Sequence, residues 1–214
     1  MDGARFDRLW RQAGGGSESQ NVFSELYVLY TGPDRHYHSL EHIARCLAHY
    51  DRATPELGVH PAVEMAIWCH DVVYDTGASD NEARSVEWFS SRGKGFLSSA
   101  YLEEVSEIIL ATRHTAAPNN RNAQFMVDVD LAGLGQQWDA FFADTQNLFK
   151  EAGSKNKATF YLSQCAFLQN LANRPFIFST PHFRSAYEQT ARDNIARLVQ
   201  EVSSPSYGSN GLTV

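Results

Sequence analysis

AYLEEVSEIILATR, residues 100–113, is the stretch that decides the fold. Its residues Leu102, Val105, Ile108, Ile109 and Thr112 recur at spacings of three and four, which is the period of one helical face. The same period continues on both sides. Upstream, residues 22–31 read as a short helix stopped by Gly32-Pro33. Ser39 stands where it can cap a helix over 40–51. Pro61 takes a first helical position ahead of Val63, Ala66 and Ile67, in a helix that ends between His70 and Tyr74. Ser79-Asp80-Asn81-Glu82 has the form of a capping box, opening a helix that Gly93 stops. Downstream, 123–133, 138–151, 156–172 and 183–201 continue the series. No alternating run is flanked by hairpin turns, and there is no repeat or low-complexity tract. These patterns predict an all-α fold, a bundle of about eight or nine helices. They place it in one domain over residues 1–202, followed by a small, polar, flexible tail at 203–214.

Bulk properties narrow the function. A chain of 214 residues has room for one full core and not comfortably for two. Its 43% hydrophobic and 20% charged residues are those of a soluble globular protein. A formal charge of −7 counts against broad nucleic-acid binding. A small phosphorylated ligand stays open, because a bound cation and a few arginines can reverse the potential locally. Cys46, Cys69 and Cys165 form no CxxC pair, and their odd number argues against a disulfide framework or a structural zinc site. They read as buried, reduced thiols of a cytoplasmic protein. The opening MDGARFDRLWRQ lacks the apolar run of a secretory signal, and nothing approaches the roughly 18 to 20 apolar residues of a membrane span.

Three pieces carry chemistry: RHYHSLEH (35–42), WCHD (68–71) with VVYD after it, and DVDL (128–131). Imidazole and carboxylate suit a divalent ion, and two of each leave room for water or substrate at a six-coordinate metal. Adjacent residues lie about 100° apart around a helix, so His70 and Asp71 reach one ion only from a helix end. The predicted helix ends there. Among Val, Tyr, Trp and Ile neighbours an unpaired Asp71 is costly to bury, and a metal removes that cost. The simpler alternative is a local hydrogen-bonded pair in a helix cap. Asp128 and Asp130, two residues apart, point to nearly opposite sides of a helix, so only one of them can face an ion.

Taken in order and spacing, RHYHSLEHI (35–43), WCHDVVYD (68–75), DNEARS (80–85), TRH (112–114) and DVDLAGLG (128–135) resemble the HD superfamily of metal-dependent phosphohydrolases. Their H…HD…D pattern sits on a helical core, and the resemblance is to a bacterial branch of predicted HD phosphohydrolases. It extends through RPFIFSTPHF (174–183) and TARDNIARL (190–198), and so covers most of the chain. The resemblance implies a divalent ion, Mn, Mg, Fe, Co, Ni or Zn, held by His42, His70, Asp71 and Asp130. Asp128 competes for the last place, but related HD proteins with a D-A-D stretch use the second aspartate.

The resemblance also allows a second ion, with His38 and His114 as the extra imidazoles. His38 shares the face of His42 if that helix starts early. His114 is equally a helix C-terminal cap on the dipole. Glu82 belongs to the capping box or acts as an acid that activates water. Arg35 and Arg113, beside the ligands, are candidates for bidentate phosphate binding. Lys155, Lys157 and Arg174 are either cations over the site's mouth or solvated surface charges. Arg192 and Asn194 match the branch's C-terminal pattern, with helix packing as the alternative. His36, His49, His60 and His182 have no motif support and read as cap or surface histidines.

The implied activity is hydrolysis of a phosphoester in a small metabolite or nucleotide by metal-activated water. Arginine would neutralise charge on the equatorial oxygens, and His114 or His38 would give a proton to the leaving oxygen. A non-catalytic nucleotide or phosphometabolite sensor is the main rival, and a di-iron HD oxygenase using His38 and His114 is a further one.

Overall fold

In a computed structural model describing residues 2–204, ten α-helices and one 3-10 turn succeed one another, and no strand occurs among those residues. The all-α expectation is met. Two compact units part between Asp130 and Leu131. The first holds α1 (Gly3–Gln12), α2 (Ser19–Tyr30), α3 (Leu40–Leu57), α4 (Pro61–Cys69), α5 (Asn81–Gly93), α6 (Ser99–Ala111) and all but the last residue of α7 (Arg121–Leu131). The second holds the 3-10 turn (Ala132–Gly135), α8 (Trp138–Glu151), α9 (Lys157–Ala172) and α10 (Pro181–Ser203). The helix α10 therefore reaches into the stretch expected to be tail, and the remainder of that tail, 205–214, lies outside the described residues.

The first unit is organised by α4. Every residue of it except Pro61 and Glu64 is buried, and a helix apolar on all sides belongs in an interior. The helices α1, α3, α5 and α6 pack on it. That burial carries the residues just past its C-terminus, His70 and Asp71, into the core.

Several boundaries differ from the sequence expectation, each for a local reason. Helix α1 was not expected. It buries Phe6, Leu9 and Trp10, spaced three and four apart, and Asp2 caps it by accepting from the Ala4 N–H at 3.0 Å. Phe6 then sets its ring edge-on to Trp68 of α4, 5.5 Å between centroids. Helix α3 runs on past residue 51 through Pro55. Proline lacks the N–H that would bond to the Asp51 carbonyl, and the Thr54 hydroxyl donates to that carbonyl instead, at 2.9 Å. Gly58, at φ 90°, ends the helix.

The capping box does not form. Asp80, not Ser79, precedes α5, and no side chain caps it. Asn81 instead turns back: its Oδ1 accepts from the Asp75 N–H and its Nδ2 donates to the Asp75 carbonyl, both at 2.9 Å. Ser85 Oγ likewise both accepts from the Val73 N–H and donates to the Val73 carbonyl, each at 3.2 Å. The DNEARS stretch is thus a clasp on the loop that follows His70-Asp71.

In the second unit the 3-10 turn packs on α10. A Cβ on Gly135 would stand 2.5 Å from Tyr187 Cβ and 2.9 Å from its carbonyl oxygen, so this approach requires glycine. Asn194 Nδ2 donates to the Leu134 and Gln136 carbonyls at 2.9 and 2.8 Å. Arg192 pairs with Glu188 and donates to the carbonyls of Ala172, Arg174 and Pro175. Both residues tie α10 to its neighbours, the packing role weighed for them. Lys155 is exposed, and Lys157 opens α9 with its Nζ 5.9 Å from the Tyr161 ring centroid. These cations belong to the second unit, whereas the expected ligands lie in the first.

Candidate metal centre

The end of α4 accounts for every carbonyl that the helix leaves open. Ala66 O accepts from the His70 N–H at 2.9 Å and Cys69 O from the Val72 N–H at 3.3 Å. Trp68 O accepts from Tyr30 Oη at 3.1 Å. Ile67 O accepts from His70 Nδ1 at 3.0 Å. A carbonyl can only accept, so His70 Nδ1 carries hydrogen and the ring's free electron pair falls to Nε2. That nitrogen points into a cluster.

The helix α3 brings His42, the α4 end brings His70 and Asp71, and α7 brings Asp130. His42 Nε2 lies 3.3 Å from His70 Nε2, 3.2 Å from Asp130 Oδ1 and 3.6 Å from Asp71 Oδ2. His70 Nε2 lies 3.0 Å from Asp71 Oδ2 and 3.4 Å from Asp130 Oδ1. Ligands about 2.1 Å from a shared ion stand about 3.0 Å apart at octahedral angles and about 3.4 Å at tetrahedral ones. The donor set fits a divalent ion in spacing and in chemistry. The imidazoles are 3% and 1% exposed, so an ion here would be held by protein donors away from bulk water. These four residues could hold a metal ion.

Without an ion the charges balance one another. Burial works against the His70 imidazolium, yet Asp71 and Asp130 overcome it and push its pKa well above the usual histidine range. Burial likewise opposes the Asp71 and Asp130 carboxylates, but His70 chiefly holds both below the ordinary carboxylate range. His38 reinforces this at Asp71, and hydrogen bonds from His114 and His42 do so at Asp130.

Of the two aspartates on α7, Asp130 meets His42 and His70. Asp128, fully buried, sits two residues earlier on another side of the helix. Helix α6 has its C-cap at Thr112, and the His114 N–H donates to the Ala111 carbonyl at 3.3 Å while its side chain turns to Asp130. His114 adopts a left-handed conformation, φ 55°, and its Nε2 reaches Asp130 Oδ2 at 3.0 Å. Asp130 thereby faces His42 and His70 with one oxygen and His114 with the other. His38 lies before the first residue of α3, so the early helix start is not realised. Its ring nevertheless stacks on Tyr74 at 3.7 Å and stands 6.0 Å from the His42 ring. Glu82 and Arg113 come together, Oε2 to Nε 3.7 Å, with Arg113 40% exposed. Arg35, expected to hold phosphate, instead directs three of its five N–H donors at backbone carbonyls.

One neighbour escaped the motif reading. Cys46, a turn beyond His42, brings Sγ to 3.6 Å from His42 Nε2 and groups with His42 and Asp130 as a possible donor set. Its position four residues after a ligand on a helix was the available signal. The other histidines have separate settings. His36 is exposed, His49 Nδ1 accepts from Arg52, His60 precedes α4 and donates to Leu57 O, and His182 lies against Phe183.

No helix among the described residues is long and apolar enough to cross a membrane. Comparison with protein-family models, with curated proteins and with solved structures found no match.

Proposed function

We propose that this chain is a metal-dependent phosphohydrolase of the HD type. It acts on a small phosphorylated metabolite or nucleotide in the cytoplasm, and neither a membrane nor broad nucleic-acid binding is involved. The observation that carries the reading is the convergence of His42, His70, Asp71 and Asp130, from three separate segments, at 3.0 to 3.6 Å within an apolar helical core. A bound divalent ion would supply Lewis acidity toward a phosphate oxygen and would acidify water at neutral pH.

The chain's own residues do the rest. Ile67 fixes the His70 ring so that Nε2 serves as donor, and His114 holds Asp130 by its outer oxygen. Arg113 can meet substrate: its pairing with Glu82 is long and partly exposed, so the guanidinium can exchange that carboxylate for phosphate oxygens at little cost. Glu82, released, can orient or deprotonate water. His38, outside the donor set, can pass a proton to the leaving oxygen.

The test is a screen for phosphate release from phosphomonoesters and nucleotides in Mn, Mg, Co or Ni, run beside Asp71→Ala. Metal-dependent release that the substitution abolishes, together with loss of bound metal, is the expected result. An Asp71→Ala protein with full metal and full turnover contradicts the assignment. Tight nucleotide binding with no turnover under any metal would favour a sensor.

A further inference from the structure

We infer that Arg35 is a positioning residue that fixes the His70-Asp71 turn and the entry to the His42 helix in register with one another; the inference rests on the metal reading above. Its Nη1 donates to the carbonyls of His38 at 2.9 Å and Asp71 at 2.7 Å, and its Nη2 donates to the carbonyl of Val72 at 2.9 Å. Asp71 lies beyond the C-cap of α4, where no helical ladder restrains its main chain. A rotation of the peptides on either side would swing its carboxylate away from His70 Nε2, now 3.0 Å away. The guanidinium grips the backbone at that point and at the next residue.

The same nitrogen that holds Asp71 also holds His38, at the entry to α3 and four residues before His42. One planar cation therefore joins the two segments that carry three of the four donors. Arg35 is itself placed by two rings, with Cζ 5.4 Å from the Tyr30 centroid and 5.8 Å from that of Tyr74. Tyr30 is buried, and its hydroxyl holds the Trp68 carbonyl one turn upstream. Beyond Val72 the clasp continues through Ser85 on Val73 and Asn81 on Asp75. The main chain that presents Asp71 is thus secured at 71, 72, 73 and 75, with Arg35 holding the carbonyl of the ligand itself.

A lysine cannot reproduce this. Its ammonium is a single point, whereas the three acceptors need the spread of a guanidinium fork. The experiment measures Mn(II) affinity by chelator competition for the wild-type protein, Arg35→Lys and Arg35→Ala, with helicity followed by circular dichroism. Loss of an outer partner of a metal ligand weakens binding about 10- to 100-fold. That loss is expected for both variants at wild-type helicity, with partial recovery of Arg35→Ala in low-millimolar guanidinium and no effect of guanidinium on wild type.

Should Arg35→Ala fail to fold, Arg35→Lys carries the comparison. Wild-type Mn(II) affinity in a folded variant, with only the substrate KM raised, overturns the positioning role and returns Arg35 to phosphate binding. If wild-type protein binds no metal at all, the metal reading falls and this one with it; if wild type and Arg35→Lys bind equally, only this one falls.

Discussion

His70 gives the hydrogen on Nδ1 to Ile67 and is left to use Nε2, where Asp71 and Asp130 favour a second hydrogen. Binding of an ion must expel that proton, with Asp71, Asp130 and His42 as the groups facing Nε2. Metal uptake near neutral pH should release about one proton per ion, and affinity should fall as pH falls. Calorimetry in buffers of different ionisation enthalpy reads the release directly, and a pH-independent affinity would contradict it. His49 offers a separate check. Burial, then Arg52 and Arg45, depress its pKa from 6.5 to about 4. The unfolded chain therefore takes up the proton first, so stability is full above the unfolded value and is lost as pH falls from 6.5 toward 4. Urea unfolding at pH 7 and pH 5 should show that loss, and His49→Gln should reduce it. Side-chain chemistry marked His42, His70 and Asp71 as candidate donors in the sequence, and the family resemblance chose Asp130 over Asp128. The work of Arg35 was not legible there, since its partners are carbonyls up to 37 residues away, and a backbone acceptor leaves no trace in residue identity.

Helix period and stop signals located most elements, including α8 at its observed bounds and the α4 end on which His70 sits. They failed where a side chain had two possible partners. The box expected at Ser79 to Glu82 does not cap α5; Asn81 within it satisfies Asp75 in the loop after Asp71, a choice made by tertiary position. Helix α3 runs past its expected end at 51, with Thr54 serving the Asp51 carbonyl that Pro55 cannot. Helix α1 carried its signal, Asp2 followed by Phe6, Leu9 and Trp10, in a stretch read only for a leader. Phe6 is fully buried against Trp10, Phe23 and Trp68. Phe6→Ala should destabilise by about 3 to 5 kcal/mol in denaturant unfolding. A loss under about 1 kcal/mol would mean α1 is not part of the core. In the second unit, Gly135→Ala forces Tyr187 away from the 3-10 turn and should cost about 1 to 3 kcal/mol.

At the scale of the molecule, the donors span residues 42 to 130, so one ion would tie together segments far apart in the chain. Such a tie stabilises only the folded form. At a metal concentration about 100 times Kd the gain is about 2.7 kcal/mol, which chelator should remove as a fall in Tm. The all-helical class and the absence of a membrane-length apolar helix among the described residues were both foreseen, because they depend on period and composition alone. The meeting of α3, the α4 end and α7 could be expected only through family resemblance, since no local rule dictates which helix ends converge. The proposed activity requires that this convergence hold a metal. Elemental analysis of purified protein, loaded in turn with Mn, Fe, Co, Ni and Zn, tests it most directly. About one or two tightly held ions per chain, lost in Asp71→Ala, are expected. No bound metal under any loading condition would contradict the metal reading.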